Sequence, residues 1–358
     1  MVGRSGRSIE PVPTAGTPSL AELRRELEAA GLGRPAAVRI FVKFLALTAA
    51  AAALLAAVLV ADLPWWALAL AAALSAWFLT AAIMCGHDGA HGAASSRDGV
   101  NSLLAHLGFS LLGGLSVNYW KHKHNALHHP NVNVAAKDPD IQQRLLALSA
   151  RQHQEQGTLV RALQRNLQTL GFWLVGAPLL PVALRVKSLL YLLAELRAGR
   201  RARANLGDLA WCCAHYLMWL VLPLPFLGWP TTLLLYGVST PLLGVYLACI
   251  FAPAHMPYPL VKETRDPLLL QLASTRDFSA GWFFRTTLIG LNRQIEHHLA
   301  QRLHHLDLER AAPIVRDYCR RHGLPYEETS WLRALIDTSR QLGRGWDVEE
   351  VVIGGVAA

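Results

Sequence analysis

The sequence predicts an all-α integral membrane protein, with four transmembrane helices in two hairpins and a helical cap that carries a metal site. Three observations support this. Of the 358 residues, 53% are hydrophobic and only 16% are charged, against roughly 25% charged in ordinary soluble domains. Four apolar runs reach the length of about 20 residues that a bilayer requires. Eight histidines fall into four short clusters just beyond the ends of those runs.

Taken in chain order, residues 1–38 form a polar segment rich in Ser, Pro and Gly, expected to be disordered to about Thr17. No secretory signal is expected there, because the first apolar run begins too far along the chain. An amphipathic helix is expected at 19–30. Ser19 is its N-cap, and Glu22 follows three residues later at the capping-box spacing. The expected spans are 40–61, 64–85, 208–227 and 230–252, with turns at Asp62-Leu63 and Gly228-Trp229. The runs at 103–117 and 170–184 are shorter, and Pro178 and Pro181 interrupt the second. Both read as interfacial or re-entrant. Residues 142–168 and 306–321 read as polar or amphipathic cap helices. The membrane domain is drawn as 39–326, followed by a tail at 327–358. Tryptophans 65, 66, 120, 211 and 229 and Tyr119 lie near span ends, as an interfacial aromatic belt does.

The net charge is +9, which in a soluble chain would point to nucleic acid. Here Arg4, Arg7, Arg24, Arg25, Arg34 and Arg39 precede the first span, and Arg185, Lys187, Arg197, Arg200, Arg201 and Arg203 precede the third. Neither hairpin turn carries Lys or Arg. The asymmetry serves orientation and anionic lipid, not nucleic acid, and places both termini and the middle section in the cytoplasm. All four histidine clusters then come out on that one face. The five cysteines show no CxxC spacing, and neither a disulfide framework nor a zinc ribbon is expected.

The clusters are His87/His91, His124/His128/His129, His255 and His297/His298. Residues four apart share one helix face, so His87/His91 and His124/His128 can each clamp one ion. Adjacent residues diverge by about 100°, which suits His128/His129 and His297/His298 to two neighbouring ions. Imidazole favours iron, copper, nickel or zinc over magnesium or calcium. Asp88, Asn125, Asp138, Asn292, Gln294 and Glu296 are the candidates to orient those ligands. Glu296 has two other readings, a ligand or an ion-pair partner. For Asp88 the other reading is a helix cap or a solvent-facing role. His215, inside an expected span, reads as a neutral, hydrogen-bonded core histidine. His304/His305 read as a surface or head-group pair, and Trp282, Phe283 and Phe284 as either an acyl-tunnel wall or an interfacial helix.

His87-Asp88-x-x-His91, Trp120-Lys-His-Lys-His124-Asn125-x-x-His128-His129 and Asn292-x-Gln294-Ile-Glu296-His297-His298-Leu299 resemble the three histidine boxes of membrane fatty acid desaturases. So do Asp138-Pro139-Asp140-Ile141, the stretch Phe251-Ala-Pro-Ala-His255-Met256, and Cys319-x-x-His322-Gly-Leu-Pro-Tyr326. The resemblance runs from about Ala82 to Tyr326. It implies two non-haem iron ions held by the eight histidines and O₂ as co-substrate. The implied reaction introduces a cis double bond into an acyl chain of a lipid or thioester. Gln294, where many relatives carry histidine, resembles the front-end subgroup, although other acyl-lipid and sphingolipid desaturases share it. The usual Phe-Pro after the last box is Ala300-Gln301 here, a departure that bears on the packing of that loop. No His-Pro-Gly-Gly haem motif occurs, so the resemblance implies a separate electron donor, a ferredoxin or small b-type cytochrome with its reductase. Two alternatives stand beside this reading. One is a hydroxylase or ketolase using the same site. The other, from a different class, is a membrane metal transporter or sensor, although transporters place their ligands near the bilayer midplane.

Overall fold

The computed structural model describes residues 18–143 and 145–354; the expected disorder up to Thr17 lies outside them. The chain opens with α1 (Leu20–Ala29). Its cap forms as expected, with Ser19 Oγ accepting from Glu22 N–H at 3.2 Å. Helices α2 (Ala37–Val60) and α3 (Trp65–Ala90) follow, joined by four residues that end in Pro64. Both are Ala- and Leu-rich with no interior proline, and they pack along each other. Val38, Val42, Leu45, Val60, Trp65, Trp66 and Leu70 face outward, an apolar rim suited to lipid. The last half of α3, from Thr80 to Ala90, is buried throughout.

Helix α4 (Asp98–Ala105) continues as a π-turn, His106–Leu112. After a break it is followed by α5 (Val117–Trp120), which runs on as a π-turn over Lys121–His128. The two arms, Asp98–Leu112 and Val117–Asn131, are bent by 108°. The second arm returns to the end of α3, where Asn125 Nδ2 donates to Ala90 O at 3.0 Å. The pair is bent back on itself, as a re-entrant loop or a broken span is.

Two expectations are corrected in the middle of the chain. After α6 (Ala150–Gln154), α7 (Thr158–Gly171), a π-turn at Phe172–Gly176 and α8 (Ala177–Arg197) form one 40-residue helix, apolar enough to cross a membrane. Pro178 and Pro181 do not break it. Pro178 directly follows the π-turn, which absorbs the change of winding that a missing N–H imposes. The expected span 208–227 is instead a shorter helix, α9 (Ala202–Tyr216), with a π-turn to Val221. It is not among the four long apolar helices, because Asn205, Asp208 and His215 turn inward and make it too polar. The four helices long and apolar enough to cross a membrane are thus α2, α3, α7–α8 and α10 (Leu224–His255). The expected turn at Gly228 is a break in α10, at φ 68° and ψ 165°.

Beyond His255 follow β1 (Val261–Thr264), α11 (Pro267–Ser274), β2 (Asp277–Ser279), α12 (Trp282–Thr287), α13 (Gln294–Leu299), α14 (His305–Arg321), β3 (Glu328–Ser330), α15 (Trp331–Leu342) and β4 (Val351–Ile353). Strands β1/β4 and β2/β3 form two small parallel pairs, so the chain is mostly helical but not all-α. Residues after 326 pack back onto the body, with Ala334 in the main core and β4 on β1. The N-terminal helix is tied in the same way. Leu23 and Leu27 bury against α13 and α14, and Ser19 N–H donates to Tyr318 Oη at 2.8 Å.

Candidate metal centre

Four structural elements converge on one buried cluster. His87 and His91 lie on the last turn of α3 and at its end. His124, His128 and His129 lie on the returning arm of the re-entrant pair. His255 ends α10, and His297 and His298 lie on α13. Two groups of nitrogens form, each within 4.8 Å: His87, His91, His124 and His297, and His128, His255 and His298.

Each adjacent pair splits as its divergence requires. His297 joins the first group and His298 the second, with ring planes at 89° to each other. The second box departs from ideal α-geometry: His129 N–H donates to His124 O, a five-residue step. That winding places His124 and His129 together, with their Nε2 atoms 3.1 Å apart. His124 Nε2 also lies 3.3 Å from His87 Nε2. His124 and His128, expected to clamp one ion, fall chiefly into different groups, although both also lie near Asp140. His129 stands between the groups, its ring centroid 4.7 Å from that of His297 and 4.4 Å from that of His298.

The second group shows how the imidazoles are aimed. His128 Nδ1 lies 3.0 Å from both Asp138 oxygens, His255 Nδ1 lies 3.2 Å from Ser274 O, and His298 Nδ1 lies 2.8 Å from Gln271 Oε1. These partners can only accept, so each Nδ1 carries the proton. His255 and His298 present an Nε2 lone pair, whereas His128, despite its burial, is raised above the ordinary histidine value by the Asp138 carboxylate. His255 Nε2 and His298 Nε2 are buried without a partner, as are His91 Nε2 and His297 Nε2 in the first group and His129 Nδ1 between them. Burial, reinforced by neighbouring imidazoles, holds His91, His297 and His298 well below the ordinary histidine value. Buried, neutral, unpartnered nitrogens in two convergent sets are the donor set a pair of transition-metal ions needs.

Of the six residues expected to support the ligands, Asp138 does so directly. It also accepts from Asn133 N–H and Asp140 N–H, both at 2.9 Å. Asp88 does not touch a box imidazole through a hydrogen bond among the described residues. It accepts from the Nδ1 of His305 at 2.5 Å and from its backbone N–H at 3.1 Å, and so caps α14. His304 and His305 are consequently buried, not a surface or head-group pair. Asn125 binds Ala90 O. Asn292 Nδ2 donates to Glu309 at 2.9 Å, and Gln294 Nε2 donates to Leu291 O at 2.8 Å. Glu296 is fully buried beside Asp277, and Tyr326 Oη bridges the two carboxyls at 2.9 and 3.0 Å. Burial first, then the Asp277 charge, raises the Glu296 carboxyl well above its usual range. Glu296 joins neither nitrogen group, and among the described residues no ion pair holds it.

Three supports escaped the sequence reading. Gln271 accepts from His298 and donates to His129 O at 2.8 Å; its only signal was a lone amide on an apolar helix. Arg293 ties α13 to Asp277, Glu309 and Glu328, and Asn133 Nδ2 holds His255 O at 2.9 Å. Phe284 packs against Trp77 and Trp331, while Trp282 points outward.

A helical membrane protein whose spans deliver histidine clusters to one buried site defines a narrow class. The family model for fatty acid desaturases matches residues 63–330. The chain is 32% identical over 265 residues to fatty acid desaturase 3 of Homo sapiens, and equally to that of Bos taurus. Each alignment covers 73% of this chain and 58% of the relative, so the chain spans little more than half the length of the relatives it matches. The chain belongs to the fatty acid desaturase family.

Proposed function

We propose that the protein is an O₂-dependent acyl desaturase whose eight box histidines hold two iron ions. The supporting observation is the two sets of buried, neutral nitrogens, most without any protein partner. His87, His91, His124 and His297 would hold one ion, His128, His255 and His298 the other, with His129 between them. When bound, the pair supplies the oxidising power to break an unactivated C–H bond, which no side chain can do.

The chain's own residues do the rest. Asp138, Gln271 and Ser274 O fix three imidazoles in the tautomer that presents Nε2. Phe109, Trp120 and the buried end of α3 keep bulk water from the cluster, and Trp77, Phe78, Phe283 and Phe284 form an apolar, aromatic floor on which an alkyl chain can lie. Overall, a –CH₂–CH₂– unit, O₂, two electrons and two protons give a –CH=CH– unit and two waters. The electrons come from a separate donor. The arginines before and at the start of α2, Arg24, Arg25, Arg34 and Arg39, favour a cytoplasmic N-terminus and, with four spans, a cytoplasmic site and C-terminus.

Expression in a host of known lipid profile, with the new double bond located by mass spectrometry, tests the reading. A new cis double bond that disappears with His297→Ala is expected, placed between an existing double bond and the carboxyl end if Gln294 marks the front-end subgroup. A hydroxylated or oxo product would instead assign the same site to a hydroxylase or ketolase.

A further inference from the structure

The polar residues at membrane depth in α8, α9 and α10 have no place in the mechanism above, yet they converge on one point. That point is the break between the two arms of the re-entrant pair. A break there exposes carbonyls at the end of the first arm and amides at the start of the second, and both need partners in an apolar setting.

The partners are sorted by charge. At the carbonyl end, Arg185 Nε donates to Gly113 O at 3.0 Å and His215 Nδ1 to Leu111 O at 2.9 Å. His215 Nε2 meets Tyr236 Oη at 2.9 Å, and Arg185 is held by Thr240 Oγ1 at 3.0 Å. At the amide end, Asp208 accepts from Val117 N–H at 3.2 Å, Asn118 N–H at 2.8 Å and Ser116 Oγ at 2.6 Å. Ser110 Oγ lies 3.2 Å and His106 Nδ1 3.5 Å from the same carboxylate. A cation, Arg185, and the imidazole N–H of His215 thus face the negative end of the first arm, and a fully buried carboxylate faces the positive end of the second. Gly114, at φ 70°, turns the corner so tightly that a Cβ would strike the His215 ring at 2.8 Å.

We propose that Asp208, Arg185 and His215 are positioning residues: a polar latch at the re-entrant break that sets where the second histidine box stands relative to the first. The latch lies at the root of the arm bearing His124, His128 and His129. Unbent, residues 98–131 would form a rod about 50 Å long and carry the second box away from α3. Held at 108°, the arm returns to Ala90. Buried ionisable groups at membrane depth mark function in general; here the function is aim, exerted through backbone termini.

The proposal rests on the metal-site reading, and the experiment separates the two. The full chain is purified with ⁵⁷Fe as Asp208→Asn, Asp208→Glu and Ser116→Ala variants. Iron per chain, the Mössbauer spectrum, the thermal midpoint and product formed in the host are then compared with those of the unaltered chain. Asp208→Asn is expected to alter the spectrum and lower product by about a hundredfold, the size associated with a 1 Å misplacement. Asp208→Glu should recover part of both, and Ser116→Ala should give a smaller change of the same sign. A lowered midpoint with an unaltered spectrum and unaltered product would make the cluster merely structural and overturn the latch. If Asp208→Asn does not fold, Ser116→Ala decides: its spectrum shifts, or the proposal fails. If the unaltered chain binds no iron, the metal-site reading fails and the latch falls with it. Iron-loaded wild type with unperturbed variants removes the latch alone.

Discussion

At the scale of single residues, what matters is which nitrogen each imidazole offers. Asp138 and Gln271 decide that for His128 and His298. Replacing either with an apolar residue of similar size leaves the ligands present but free to turn. Asp138→Leu and Gln271→Leu are each expected to weaken iron binding by about 10–100-fold, measured by competition with a chelator. Tyr326 acts differently. Its hydroxyl satisfies the Asp277–Glu296 pair beneath α13, so Tyr326→Phe should cost about 1–3 kcal/mol of stability with iron content preserved. Acid acts on the imidazoles directly. His91, His297 and His298 are held neutral in the folded protein, below the ordinary value of 6.5. A chain that has let go of its metal and unfolded takes up protons there that the folded state refuses. Stability and iron retention should therefore be flat above about pH 7 and fall as pH drops through 6.5, read from thermal midpoints across a pH series.

At the scale of elements, helix contacts rest on a few close approaches. Pro181 cannot donate to the Ala177 carbonyl, and Gly244 of α10 packs against that freed oxygen; a Cβ there would lie 2.0 Å away. Gly244→Ala should sharply lower the yield of folded protein by forcing α8 and α10 apart. Gly237→Ala, on the same helix but meeting nothing, should be neutral or stabilise by about 1 kcal/mol. The same contact shows why one span was misread. Pro178 and Pro181 are breakers in isolation, whereas a π-turn before them and a glycine across from them make the 40-residue helix possible. In the other direction, Asp208 and His215 sit in a run apolar enough to suggest a span, and only the re-entrant break shows why they are there.

At the scale of the whole molecule, the histidines were legible because metal ligation imposes spacing, and spacing survives in a one-dimensional string. Their two-group arrangement was legible in outline from the adjacent pairs. The supports of Gln271, Arg293 and Asn133 were not, since each reaches a partner on another element through tertiary packing that leaves no local pattern. The proposed sidedness rests on the arginines before and at the start of α2, and reporter tags at either terminus should be reached only from the cytoplasm in intact cells; a luminal or periplasmic signal from either would reverse the orientation proposed. The most direct test of the account is metal analysis of the purified full chain beside its His124→Ala and His297→Ala variants. The account predicts about two iron ions per chain in the unaltered protein, as two neighbouring sets of imidazole donors favour, with iron sharply reduced in both variants. A folded, unaltered chain holding one zinc ion or no metal, or variants that keep their full iron, would contradict it.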